Sequence, residues 1–80
     1  MKEYIATFHT HLSALMTSRE LTSRGLKAQM MPVPRKLSSS CGTCVRYLAE
    51  EANLDAMDED VEAVYEKIGK EEYTLLMNAD

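Results

Sequence analysis

The chain has 80 residues, a formal net charge of −4 and 45% hydrophobic residues, a composition typical of one ordinary globular domain, here residues 1–80. A chain this short buries only about 60–65% of the surface of its unfolded form, so its stability margin is small. It lacks an apolar run of about 20 residues and the apolar segment of a signal peptide. We therefore expect a cytoplasmic protein that binds no membrane.

The charges are distributed unevenly along the chain. Residues 1–46 contain seven basic and two acidic residues, whereas residues 47–80 contain two basic and eleven acidic residues. The two halves are either two solvated faces, or the basic half holds an anion or a thiolate near its loop. The acidic total and the lack of interleaved aromatic and basic residues argue against nucleic-acid binding.

The chain begins with a predicted strand and a predicted helix. Residues 3–8 alternate as in a strand, and a helix over about residues 11–24 follows, with Thr10 as N-cap and Gly25 after its end. The core-facing positions of this helix form two stripes: a first of Ala14, Ser18 and Leu21, and a second of Leu12, Leu15 and Met16. One stripe should face the sheet, and the second either widens the core face or contacts another subunit in a homodimer.

Two further strands are predicted around a loop. Residues 26–31 alternate and end at Pro32, and residues 44–48 alternate again. A helix capped by Ser40 also fits this second segment, because apolar residues there recur at helical spacing. The residues at that spacing are Val45, Leu48, Ala49 and Ala52. Both interpretations of the second segment remain open on the sequence.

The strongest helical periodicity lies in the second half, with Asn53 or Asp55 as N-cap and Gly69 as the end. Its apolar face consists of Leu54, Met57, Val61, Val64, Tyr65 and Ile68. Residues 73–77 then alternate as a last strand. The resulting order, β-α-β-β-α-β, predicts an α+β, ferredoxin-like split βαβ fold, with an antiparallel sheet and two helices on one face.

This topology places the ends of several elements together. A right-handed crossover makes the first two strands parallel and leaves a position between them for the third strand. The end of the first strand, the start of the first helix and the loop before the third strand then share one edge of the sheet. His9 and His11 are expected there beside Cys41 and Cys44, as a proton relay, close to the partial positive charge of the helix N-terminus.

The stretch MPVPRKLSSSCGTCV, residues 31–45, contains both prolines, a run of three serines and both cysteines. A thiol is a nucleophile only as thiolate, and at an ordinary pKa of about 8.5 only about 3% of it is ionised at pH 7. Nearby cationic groups and free N–H groups of a turn would favour the thiolate. The residues predicted to do so are Arg35, Ser39, Ser40, Gly42 and Arg46. Cys41 is therefore the candidate nucleophile.

Several roles are compatible with the sequence around Cys44. If residues 41–44 turn, the two cysteines come close enough for a disulfide, and if they are extended, the thiols point apart. Cys44 can also be a small buried residue of the third strand. Two histidines and two cysteines are the right number of ligands for zinc, but no His-x₃₋₅-His follows, so no metal or other cofactor is predicted. CGTC also resembles a thioredoxin motif, but the preceding Trp is missing.

The segments PVPR and SSSCG resemble the selenium/sulfur carrier protein-like family of small bacterial and archaeal domains. The residues in pattern are Pro32, Pro34, Arg35, Ser38, Ser39, Ser40, Cys41 and Gly42. The resemblance covers most of the chain. It implies a carrier rather than a turnover enzyme, with sulfur or selenium held on Cys41 as a persulfide or selenosulfide. A protein donor or acceptor, such as a cysteine desulfurase or a sulfur-carrier protein, would exchange this cargo by thiol chemistry.

Three interpretations follow for the whole chain. In the first, the carrier on Cys41 uses Cys44 to resolve the persulfide. In the second, a non-catalytic module binds a partner or a metal through the same loop. In the third, Cys41 and Cys44 form a dithiol redox switch.

Overall fold

The computed structural model describes residues 1–79 as one α-helix packed on a five-stranded sheet. The elements in chain order are β1 (Lys2–Phe8), α1 (His11–Ser23), β2 (Lys27–Pro32), β3 (Thr43–Ala49), a short 3₁₀ helix (Leu54–Ala56), β4 (Val61–Gly69) and β5 (Glu72–Asn78). The strand order is β2-β3-β1-β4-β5, and each neighbouring pair is antiparallel.

The first half of the chain follows the sequence prediction closely. Thr10 caps α1, since its side chain accepts a hydrogen bond from the Ser13 N–H at 3.1 Å. Gly25 follows the helix with a φ of +84°, a left-handed conformation that glycine adopts without strain. β3 lies between β1 and β2, as predicted. Because residues 43–49 form this strand, the alternative helix after Ser40 is wrong.

The hydrophobic core lies between α1 and one face of the sheet. Tyr4, Ala6 and Phe8 alternate along β1 and point into it, as do Val45 and Tyr47 of β3. Ala14 and Leu21 of α1, Ala49 of β3 and Val64 of β4 belong to its fully buried part as well. The second apolar stripe of α1 is not part of this core, since Leu12 and Met16 are exposed.

The predicted ferredoxin-like fold with two helices is wrong. The segment predicted as the second helix forms only the 3₁₀ helix and then β4, which pairs with the free edge of β1. Without β4, the N–H and C=O groups along that edge of the central strand would lack partners. Val61, Val64 and Tyr65 also favour a strand, because β-branched and aromatic side chains suit a pleated surface. Long-range pairing therefore overrides the local helical periodicity.

Asp58 fixes the segment before β4 against α1. The Ser13 hydroxyl donates to the Asp58 carboxylate at 2.7 Å, and the Asp58 N–H donates to Thr17 Oγ1 at 3.0 Å. Ser13 and Thr17 are both buried, so these bonds satisfy two polar groups on the core-facing side of the helix. The Asp60 N–H also donates to Asp58, at 3.3 Å. β4 consequently starts from a fixed position.

No helical segment within residues 1–79 combines the length and apolar character that a membrane crossing requires.

Replacing Phe8 with Ala tests the core described here. Phe8 is fully buried, so we expect Phe8→Ala to lower the free energy of unfolding by about 3–5 kcal/mol through lost burial and a residual cavity. Leu12→Ala is the matched control, because Leu12 is 63% exposed and its truncation should change stability by less than about 0.5 kcal/mol. Denaturant titration measures both values. Equal losses would contradict this packing.

Candidate functional site: the Cys41 loop

Residues 33–42, which connect β2 to β3, form the Cys41 loop. Val33 N–H donates to the Gly42 carbonyl at 3.1 Å, which closes the two ends of the loop on each other. The Ser39 hydroxyl donates to the carbonyl of Phe8, the last residue of β1, at 2.8 Å. Leu37 N–H donates to the Pro34 carbonyl at 3.0 Å and forms an internal turn. The loop is therefore tied to the end of the central strand.

Cys41 is half-buried, and its side chain packs against the hydrophobic core. Its thiol donates to the Thr43 carbonyl, with Sγ at 3.4 Å from the oxygen, and lies 3.8 Å from Ser39 Oγ. Gly42 turns the backbone directly after it with a φ of +75°. An added Cβ at Gly42 would meet no atom within 4 Å, so the backbone angle rather than space requires glycine there.

Glu62 of β4 binds the residue that precedes Cys41. The Ser40 N–H donates to Glu62 Oε1 at 3.0 Å, and the Ser40 hydroxyl donates to Glu62 Oε2 at 2.7 Å. His9 Nδ1 lies 3.3 Å from the same Oε2 and 3.4 Å from Ser40 Oγ. One carboxylate thus uses both oxygens to hold the loop, beside a histidine from the end of β1.

A β-bulge gives Glu62 this position. Thr7 of β1 pairs with Ala63, but the next residue, Phe8, pairs with Val61, so Glu62 is the extra residue of β4. The Ala79 N–H donates to the Glu62 carbonyl at 2.9 Å and fixes the bulge from the far side. Glu62 was not among the predicted site residues, because a helix was predicted over this segment. Its place beside the loop depends on the bulge and on the pairing of β4 with β1.

The pKa of Glu62 lies below its ordinary value. Burial raises the pKa of this carboxyl, but hydrogen bonds from the Ser40 hydroxyl, the Ser40 backbone N–H and the Ser39 side chain lower it. Nearby His9 lowers it further. Glu62 is therefore ionised at neutral pH, and both of its bonds to Ser40 are charge-assisted.

The structure brings some of the predicted site residues together. Ser39, Ser40 and Gly42 adjoin Cys41 in the chain, and His9 contacts Ser40. His11 Nδ1 lies 3.5 Å from Thr43 Oγ1. Both histidines thus reach neighbours of Cys41 through hydroxyl groups, and their predicted role as a proton relay stays a prediction.

Neither predicted arginine is a hydrogen-bond neighbour of the Cys41 sulfur. Arg46 Nε donates to Glu3 Oε2 at 2.7 Å, in a charged group that also includes Lys67 at 3.9 Å from the same oxygen. Arg35 is exposed and has no ion pair within residues 1–79. The recorded hydrogen-bond neighbours of the Cys41 sulfur are Ser39 and Thr43, both uncharged.

Cys44 has a different environment. It is fully buried in β3, and its Sγ lies 3.8 Å from the Pro32 carbonyl. Its neighbour Val45 points into the core under α1, so Cys44 faces the opposite side of the sheet. Burial raises the pKa of its thiol to about 11, and the charge of Cys41 adds to this effect. Both cysteines are free.

Across residues 1–79, no three side chains of histidine, cysteine, aspartate or glutamate are grouped as a metal site would require.

The fold and the loop define a class of protein: a small α+β domain, mostly sheet, that presents one half-buried thiol on a serine-rich loop. The chain belongs to the family described as "Putative Se/S carrier protein-like", which matches residues 3–73. This match confirms the resemblance seen in the SSSCG segment. Membership of this carrier family indicates selenium or sulfur carriage and protein partners at the level of the family.

One curated relative is similar over part of the chain. The "Uncharacterized protein YtiA" of Escherichia coli (strain K12) is 31% identical over 45 residues, which are 56% of this chain. The match spans about half of the relative, 53% of its length. No solved structure matches the chain.

The different burial of the two thiols predicts different rates of alkylation. In the folded protein we expect iodoacetamide to modify Cys41 well before Cys44, because Cys44 is fully buried and its pKa is raised to about 11. Peptide mass spectrometry over a time course resolves the two sites. In denaturant the two rates should converge, which serves as the control. Equal rates in the folded protein would contradict the environments described here.

The lowered pKa of Glu62 predicts a loss of stability in acid. A carboxyl whose folded pKa is depressed stabilises the fold above its unfolded pKa, about 4.3, and this contribution disappears as the pH falls through the folded value. We expect the stability difference between wild type and Glu62→Gln to shrink across that window, because the amide of the variant does not titrate. Denaturant titrations between about pH 7 and about pH 3 measure it. A difference that is constant with pH would contradict the shift.

Proposed function

We propose that the protein carries sulfur or selenium on the Cys41 sulfur, as a persulfide or selenosulfide, and passes it to a partner protein by thiol exchange. Membership of the carrier family supports this role. The observation on which the proposal rests is the position of Cys41, a free, half-buried thiol in a loop at the end of the sheet. A protein donor or acceptor can reach such a thiol without opening the core.

Loading follows from ordinary thiol chemistry. The Cys41 thiolate attacks the outer sulfur of a persulfide on the donor protein, a new S–S bond forms, and the S–S bond of the donor breaks. The donor cysteine leaves as a thiolate and takes up the proton that Cys41 gave up. Delivery repeats these steps with an acceptor thiolate as the nucleophile. The exchange needs no oxidant or reductant, because each step forms one such bond and breaks one.

A proton path for this exchange involves hydroxyl groups. His9 is adjacent to Ser40, and His11 is adjacent to Thr43, whereas Ser39 is the hydroxyl nearest to the sulfur, at 3.8 Å. A proton relay from either histidine therefore passes through hydroxyl groups rather than directly to Cys41. The Ser39 hydroxyl can turn from the Phe8 carbonyl toward a thiolate, which would stabilise the charged form of the sulfur.

Cys44 is left out of the proposed transfer. Resolution of a persulfide would require its thiol to reach Cys41, but Cys44 is buried on the opposite face of the sheet and its pKa is raised to about 11. Arg46 is paired with Glu3 and does not support a thiolate on Cys41. Arg35 is exposed on the loop, and its proposed role is to attract an acidic partner over a longer range.

Intact-mass spectrometry tests the proposal directly. After incubation with a cysteine desulfurase and cysteine, we expect wild type to gain the mass of one sulfur atom, which a reducing agent removes. Cys41→Ser should gain none, whereas Cys44→Ser, the matched control, should still gain it. An unmodified wild type, or the same gain on Cys41→Ser, would overturn the proposal.

A further inference from the structure

Glu62 makes the strongest polar contacts with the Cys41 loop. Its two carboxylate oxygens accept hydrogen bonds from one residue, Ser40, at 3.0 Å from the backbone N–H and 2.7 Å from the hydroxyl. This arrangement fixes the backbone and the side chain of Ser40 together. The Glu62 side chain is 18% exposed, and both bonds are charge-assisted.

The carboxylate is itself held by rigid structure. Glu62 is the extra residue of the β-bulge opposite β1, and its carbonyl accepts the Ala79 N–H at 2.9 Å. The other anchor of the loop is the bond from Ser39 to the Phe8 carbonyl of β1, at 2.8 Å. Two successive serines before Cys41 are thus attached to two neighbouring strands of the sheet.

We propose that Glu62 is a positioning residue. Its two hydrogen bonds to Ser40, which we call the clamp, keep the Cys41 sulfur half-buried, and release of Ser40 exposes the sulfur for exchange. Ser40 is covalently next to Cys41, so movement of the one requires movement of the other. The idea that the clamp protects bound sulfur or selenium rests on the proposed carrier function. The idea that it controls exposure of the Cys41 thiol is independent of that function, and it is measurable without any sulfur donor.

Glu62 could instead act only through its charge, because a carboxylate near a thiol disfavours the thiolate. The groups facing the carboxylate are His9, which follows β1, and Ser39 and Ser40 from the loop, and a charge effect would include His9. The two modes differ in the pH profile of the reaction. Charge shifts the pH at which Cys41 ionises, whereas exposure changes the limiting rate at high pH, where the thiolate is fully formed.

Two substitutions at position 62 separate these modes. Glu62→Ala removes both the charge and the clamp. Glu62→Gln removes the charge but keeps an acceptor for the Ser40 N–H and a donor for the Ser40 oxygen. The variant Glu59→Gln removes an exposed acid from the segment before β4 and controls for net charge. Circular dichroism and thermal unfolding establish that each variant is folded.

The measurement is the rate of Cys41 alkylation by iodoacetamide across pH, resolved by peptide mass spectrometry. We expect Glu62→Ala to raise the limiting rate by about threefold to tenfold, the scale of the net contribution of one ordinary hydrogen bond. Glu62→Gln should return the rate most of the way to wild type, and Glu59→Gln should leave it unchanged. Hydrogen exchange at the Ser40 amide should accelerate in Glu62→Ala and much less in Glu62→Gln.

Other outcomes overturn the inference. A limiting rate for Glu62→Ala that equals that of wild type, with a profile that only moves along the pH axis, would assign the effect to charge alone. If Glu62→Ala does not fold, Ser40→Ala replaces it, because it removes the hydroxyl bond and leaves the charge; an unchanged limiting rate there would also overturn the clamp. These readouts are independent of sulfur loading, so failure of the carrier proposal and failure of this inference are distinguishable.

Discussion

The fold depends on β1 being paired along both of its edges. β3 bonds to one edge and β4 to the other, so the central strand has partners on both sides and its core-facing residues lie under α1. The same strand ends at the functional site, where the Phe8 carbonyl holds Ser39 and His9 reaches Glu62. The stability of the sheet and the geometry of the loop therefore have a common origin. A loop without hydrogen-bonded core elements beneath it would have no fixed position.

The first half of the chain is predictable because its signals are local and agree with one another. Thr10 and Gly25 mark the ends of α1, and alternation marks β1 and β2. The second half is not, because the spacing of Leu54, Met57, Val61 and Val64 fits a helix while the free edge of β1 requires a strand. Sequence periodicity contains no information on an unpaired edge elsewhere in the chain. The pairing of this segment with β1 therefore decided that it forms a strand rather than a helix.

The same limitation applies to the site. Proximity in sequence suggested Arg46 as a partner of the Cys41 sulfur, but a strand sends successive side chains to opposite faces, and Arg46 meets Glu3 instead. Glu62 lies far from Cys41 in the sequence and reaches the loop only because a bulge adds one residue to β4. A bulge depends on the register between two strands. Local composition does not reveal that register, so the most extensive contact of the loop was the least predictable.

The bond from the Ala79 N–H to the Glu62 carbonyl connects the end of the described chain with the bulge that carries the clamp. Loss of this bond would loosen the bulge from the side opposite β1, and with it the position of the carboxylate that holds Ser40. Met1 precedes β1 at the opposite end of the sheet, about 20 Å from the loop at the rise of an extended strand. A probe of the thiol therefore disturbs the clamp less when it is placed near Met1 than when it is placed near Ala79.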